Sequence, residues 1–211
     1  MNRQAEISDR DLTLVRLRFL DLLKSFFWEE PDAERMSRWR GIFAALSRER
    51  INRQLDDVIA RLGEKLKKKD LQDLKEEYYT LFTDPYSRNQ LPLNAAYYLD
   101  GKSFGPSLVR YRELLKQAQL IKDRSVTDPE DSLLLMLDTL VTLIEEEKQG
   151  ANQAREQQKQ LLQQFLIPMT GKLLTEIQNN SEADFYRSCI KFLKAYLDLE
   201  AGLFEDMDGQ E

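Results

Sequence analysis

Between Tyr78 and Ser107 a chain otherwise written in helical periodicity stops being so, and that interruption limits the folds open to it. Just upstream, Leu71, Leu74, Tyr78, Leu81 and Phe82 recur at the three-or-four spacing of one apolar helix face. Pro85 ends that pattern. Through Pro106 the chain then carries Pro92, Gly101 and Gly105, with Tyr86, Tyr97, Tyr98 and Phe104 among them. Structureless connections longer than ~12–15 residues are uncommon in compact domains unless they serve a site or are disordered. Leu91, Leu93, Leu99 and the rings make this stretch too apolar for disorder. It reads as an ordered crossing segment laid on helices, and as the first place to look for a site.

On either side the periodicity predicts helices. Ser8 or Asp9 can cap a first one running to Phe27, apolar enough on two flanks to be central. Further helices are expected over 32–46, 52–67 and 70–82, the last opened by the capping pair Asp70 and Asp73. Beyond the crossing the pattern continues over 107–119. The polar, aperiodic stretch 122–127 reads as a hinge. Asp128 as N-cap, Pro129 at the first helical position and Asp131 at the third spell a strong helix start, with Gly150 placed to end that helix after Lys148. Helices at 152–165, at 169–179 after Pro168, and from Ser181 or Glu182 to Leu203 complete the chain, the last with Ser181 and Asp184 as another capping pair. The tail 205–211 reads as frayed. The fold expected is all-α: a compact bundle of about nine helices, divided into an N-terminal part (1–121), the hinge (122–127) and a C-terminal part (128–211). Eight glycines and six prolines are few for 211 residues, which agrees.

Absences narrow the chemistry. The chain has no histidine and one cysteine, so histidine acid–base catalysis, Ser/His/Asp and Cys/His constellations, HExxH sites and a structural cysteine–histidine zinc site are excluded. No intramolecular disulfide is available, which suits a reducing compartment. There is no apolar run of the ~18 residues a membrane span needs, and Met1–Glu6 lacks a signal-peptide core, so a cytoplasmic protein is expected. A net charge of −6 argues against a nucleic-acid backbone binder. The basic cluster Lys65–Lys69 reads as a solvated helix end complementing the dipole, Cys189 as a small core residue, and Glu145–Glu147 as a solvated charge run.

Four fragments stand in order: Tyr78-x-x-Leu81-Phe82, then Pro92-Leu93-Asn94-Ala95-Ala96-Tyr97, then Pro129-Glu130-Asp131-Ser132, then Phe185-Tyr186 opening the last helix. In this order and spacing the chain resembles the TorD/DmsD/NarJ family of redox-enzyme maturation chaperones, in which a Tyr-x-x-Leu-Phe helix end leads to Pro-x-Glu-Ser-x-Tyr and later to Pro-x-Asp-His. The likeness spans nearly the whole chain. It departs where the family's Glu-Ser reads Asn94-Ala95, its Asp-His reads Asp131-Ser132, and a usual glycine reads Gln119.

The resemblance implies a TorD-like bundle and a non-catalytic chaperone without cofactor or metal. It would bind the twin-arginine leader, or the apo-form, of a molybdopterin oxidoreductase subunit and hold it until cofactor insertion, as in anaerobic respiration. Two fixed cations followed by an apolar run call for carboxylates beside an apolar groove. The groove residues are then Tyr78, Leu81, Phe82, Pro92, Asn94, Tyr97, Tyr98, Pro129, Asp131 and Ser132, with Asp100 or Glu130 as further charge. Each has a plainer reading: Leu81 and Phe82 suit a core, Asp131 a helix cap, and one of the adjacent tyrosines must turn outward if the segment is extended. A helical adaptor that binds an amphipathic partner helix through the same groove stays open. So does the choice between a monomer and a dimer exchanging its C-terminal part through the hinge. A nucleotide enzyme does not fit, since no GxxxxGK[ST] loop is present and Gly101-x-x-x-Gly105 is a poor phosphate cradle.

Overall fold

The computed structural model describes residues 9–208, and the expectations for Ser8, Met1–Glu6 and the tail beyond Phe204 lie outside the described residues or side chains. The order is α1 (Asp9–Phe27), α2 (Ala33–Leu46), α3 (Arg53–Lys68), α4 (Leu71–Tyr78), α5 (Ala95–Asp100), α6 (Pro106–Gln117), α7 (Leu133–Lys148), α8 (Ala154–Leu161), α9 (Ile167–Gln178) and α10 (Phe185–Asp208). A π-helical turn, Tyr79–Thr83, prolongs α4, and another, Leu162–Leu166, joins α8 to α9 without a break. Among the described residues this makes nine continuous helical rods and no strand.

Nine is the number expected, reached by a different division. Pro168 does not separate two helices, because it sits in the first turn of α9 just beyond the π turn, where the backbone ladder is already widened. The crossing segment, in exchange, holds a helix of its own, α5, closed by Gly101 in the left-handed region (φ +74°). The start written at Asp128–Pro129 is also displaced: Pro129 C=O accepts from Ser132 N–H in a turn, and α7 begins at Leu133 with Ser132 as N-cap. Local signals elsewhere hold. Asp70 and Asp73 form a reciprocal capping box, and Asn52 and Asp32 cap α3 and α2 through their side chains. Gln119 adopts φ +56°, a conformation that favours glycine, at the position where the resembling family carries one.

The core is one apolar cluster drawn from both sides of the 122–127 stretch. α10 packs on α9, α3, α4 and α1, while α7 packs on α1 and α8. Trp39, Phe26, Phe43, Phe185 and Phe192 form its aromatic centre, with Phe26 5.0 Å from Trp39 and Phe43 5.5 Å from Phe192. Cys189 is fully buried within it, and burial pushes its thiol well up. The buried Arg16 guanidinium on α1 reaches Glu200 on α10 at 2.8 Å and Gln158 on α8 at 2.7 Å. Tyr196 O–H also donates to Glu200. This network ties the first helix to the last with its polar groups satisfied.

α10 is started by a residue from elsewhere. The buried Glu77 carboxylate on α4 accepts from the N–H groups of Asp184 (2.7 Å), Phe185 (3.0 Å) and Tyr186 (2.8 Å). The Ser181–Asp184 pair expected from sequence does not cap this helix; Asp184 instead pairs with Lys65 and Lys69. The basic cluster is thus partly engaged at the α10 entrance rather than simply solvated, Lys69 also lying 3.5 Å from Glu77.

Candidate functional site

Two remote segments are stitched together beside the crossing. Leu133 N–H donates to Leu93 C=O (2.7 Å) and Ala95 N–H to Asp131 C=O (2.9 Å), which makes an isolated antiparallel bridge between Asn94 and Ser132. The Asp131 carboxylate then accepts from Ala96 N–H at 2.7 Å, so it caps α5 rather than its own helix. One of the helix-start residues read in sequence, Asp131, is thus spent on a contact thirty-five positions away in the chain.

Above this stitch lies an open cleft of about 420 Å³. One wall is the end of α1, Phe27 and Trp28; a second is Tyr78 and Phe82 around the π turn; the floor and far wall are 90–94 and 128–134. The π turn, closed by Asp84 N–H to Tyr79 C=O, is what sorts its side chains. Leu81 is fully buried, Phe82 is half-buried at the cleft, and Tyr79 faces outward. Phe82 stands edge-on to Tyr186 (5.2 Å) and to Phe27 (6.0 Å), while Tyr78 O–H donates to Phe27 C=O (3.3 Å). The wall is therefore built from side chains of three helices, α1, α4 with its π turn, and α10.

The rim is acidic. Burial pushes the Tyr78 hydroxyl up to about 12; Arg35 opposes that shift, and the carboxylates of Glu29, Glu30 and Asp128 reinforce it. Glu29 is paired with Arg35 and Glu30 with Lys75. Asp128 is exposed and lines the cleft, with no ion pair from its carboxylate among the described residues. Trp28, 59% exposed, stands on the opposite lip. The arrangement suits an apolar segment that carries a cation.

Of the residues singled out in the sequence, Tyr78, Phe82, Pro92, Asn94, Pro129 and Ser132 line this cleft. The others do not. Leu81 is sealed below it, and Tyr98 is buried in α5 with its ring 5.0 Å from Tyr97, which is half-buried away from the lining. Asp131 is 1% exposed and occupied with α5; burial raises its carboxyl above the usual range, against the hydrogen bond from Ala96. Asp100 caps α6 through Ser107 N–H (2.7 Å) and Oγ (2.8 Å), and Glu130 is held by Arg112. The sequence reading missed Phe27, Trp28, Leu93, Leu134 and the charge of Asp128. The only signal for Trp28 was an indole set just past an apolar helix, before Glu29-Glu30-Pro31.

Among the described residues no cluster of three or more carboxylate or thiol side chains could hold a metal, and no helix is long and apolar enough to cross a membrane.

The sequence profile of the nitrate reductase delta subunit family matches residues 48–175, more than half the chain. A curated chaperone protein TorD from Actinobacillus succinogenes is 29% identical over 104 residues, 49% of this chain and 51% of that protein. The chain thus spans about half the length of that relative. A crystal structure described as a candidate redox enzyme maturation protein from Archaeoglobus fulgidus superposes with a TM-score of 0.49 at 14% identity, over 87% of this chain and 93% of that one.

Proposed function

We propose, from the premise that this chain belongs to the nitrate reductase delta subunit family, that it is a non-catalytic maturation chaperone whose client docks in the cleft between the end of α1, the α4 π turn and the Asn94–Ser132 stitch. The client is the catalytic subunit of a molybdopterin oxidoreductase, engaged through its twin-arginine leader or its apo-form, and held in the cytoplasm while cofactor is inserted. The similarity to a protein named as a chaperone supports the class of activity.

The single observation that carries the reading is the pairing of an aromatic-walled cleft with an exposed carboxylate on its lip, Asp128, which makes no ion pair among the described residues, Lys122 Nζ being bound to its backbone C=O instead (2.7 Å). Burying an apolar run supplies affinity at roughly 25 cal/mol per Å² before ordering costs, and the carboxylate selects for a cation beside that run. The groove residues from the resemblance that are buried elsewhere, Leu81, Tyr98 and Asp131, then serve by shaping the cleft rather than by touching the client.

Affinity purification of the chain from its native cytoplasm should recover a molybdopterin oxidoreductase subunit. A synthetic leader of that subunit should bind, and replacing its two arginines by glutamines should weaken binding. If no such subunit co-purifies and the leader gives no signal, the proposal fails. Binding that ignores the arginine change would point instead to an adaptor for amphipathic helices.

A further inference from the structure

Asn94 is unusual among the cleft residues. It is 9% exposed, lines the cleft, and its Nδ2 is buried with no hydrogen-bond partner. Its position before α5 would suit a helix cap, but its side chain makes no cap hydrogen bond there, because Asp131 caps that helix instead. Leaving a buried amide donor unpaired is unfavourable, and such groups call for an explanation. Across the bridge sits Ser132, 7% exposed, whose Oγ accepts only a long contact from Leu135 N–H (3.4 Å) and whose hydroxyl proton is free to donate. Residues facing each other in an antiparallel bridge project to the same side. Two donors therefore stand side by side at the inner end of a cleft of mixed character, among aromatic and aliphatic side chains and with the Asp128 carboxylate at its lip.

We infer that Asn94, assisted by Ser132, binds a main-chain amide of the client peptide, one lying outside any helix of that client. This rests on the cleft being the client site. A side-chain amide matches a peptide group in both directions: Nδ2–H donates to the client C=O, and Oδ1 accepts a client N–H. Rotation about its broad terminal torsion turns the donor toward the occupant. Peptide groups inside a helix already spend their N–H and C=O on each other, so only a helix end or an extended residue can answer. The cleft would then take any suitable apolar segment at one fixed register. Asp128 at the mouth and Asn94 at the inner end hold that register, and the contact to the backbone does not read side-chain identity.

Calorimetric titration with a synthetic peptide carrying two consecutive arginines and then an apolar run tests this. The wild type should bind, and Asn94→Ala should bind roughly tenfold more weakly with an unchanged or higher melting temperature, since no internal hydrogen bond is lost. Replacing backbone amides of the peptide one at a time by esters should reveal one position whose replacement weakens binding to the wild type and leaves binding to Asn94→Ala unaffected. If Asn94→Ala binds as tightly as the wild type while Trp28→Ala does not, the assignment of Asn94 is wrong and the cleft stands. If no ester position couples to Asn94, a side-chain group of the client is the partner and the inference is overturned. If Asn94→Ala melts several degrees lower, its role is structural and the inference falls. If the wild type ignores the peptide, the cleft reading falls with it.

Discussion

Replacing Glu77 should unseat α10, the 24-residue helix at the centre of the core. Its carboxylate holds three N–H groups at the start of α10, at 2.7, 3.0 and 2.8 Å, and lies 3.5 Å from Lys69. Hydrogen bonds to a charged group contribute about 1.5–3 kcal/mol each, less when they share one acceptor, and breaking a buried charged contact costs about 3–5 kcal/mol. Glu77→Ala therefore removes about 3–5 kcal/mol from a total that is typically ~5–15 kcal/mol. Glu77→Gln keeps an oxygen where Oε1 accepts from Asp184 and Tyr186, and abandons Phe185, which puts its cost nearer ~2 kcal/mol. In equilibrium urea unfolding the alanine variant should lose roughly 1–2 M in midpoint and the glutamine variant about half of that. The cleft should weaken in step, because Tyr186 in the first turn of α10 braces Phe82 at 5.2 Å. Equal midpoints for the two variants, or a loss under about 1 kcal/mol for alanine, would refute the idea that α10 is capped from α4.

The remaining expectations are shorter. A Cβ on Gly105 would lie 2.3 Å from Asp100 Oδ2, so Gly105→Ala displaces the cap of α6 and should cost about 2 kcal/mol in a thermal melt, while Gly41→Ala, with open space around it inside α2, should be neutral or stabilising by up to ~1 kcal/mol. The buried Asp131 carboxyl has its folded-state pKa above the unfolded one, so its contribution to stability is fullest when it is protonated and declines as pH rises from the ordinary carboxylate range through the folded value. Asp131→Asn should remove that slope and gain on the wild type as pH rises, read from urea midpoints between about pH 3 and pH 7; parallel curves would contradict the burial argument. Trp28→Ala should weaken leader binding about tenfold or more without a stability loss, and Asp128→Asn should flatten its salt dependence.

Helix α1 was legible to the residue at its C-terminus, and α3 and the Asp70–Asp73 box nearly so, since their caps and apolar faces are local. α5 was not, because six residues are too few to display a period and the group that caps them, Asp131, lies far along the chain. The same contact explains the misplaced start of α7: Asp128, Pro129 and Asp131 are helix-start residue types, but Asp131 caps α5 and Pro129 closes a turn with Ser132. Glu77 shows the limit again, an ordinary charge in a helical run until α10 arrives over it. For the cleft, the Tyr78–Phe82 and Pro92–Asn94 fragments could be found in sequence, but which face of each was open depended on the π turn at Tyr79–Thr83. Trp28 and Asp128 needed the fold, because only packing brings the end of α1 opposite 128–134.

The clasp between α1 and α10 has a consequence for biogenesis. Arg16 finds Glu200, and Phe19 stacks on Tyr196 at 5.1 Å, only after nearly the whole intervening chain exists. At ribosomal speeds of ~5–20 residues per second, the part of α1 that faces α10 must wait on the order of ten seconds or more for its partner. The contacts of α1 with α2, Trp39 and Phe43 on Phe26, are available early in synthesis, whereas the seal over Arg16 and Phe19 is set only when α10 arrives.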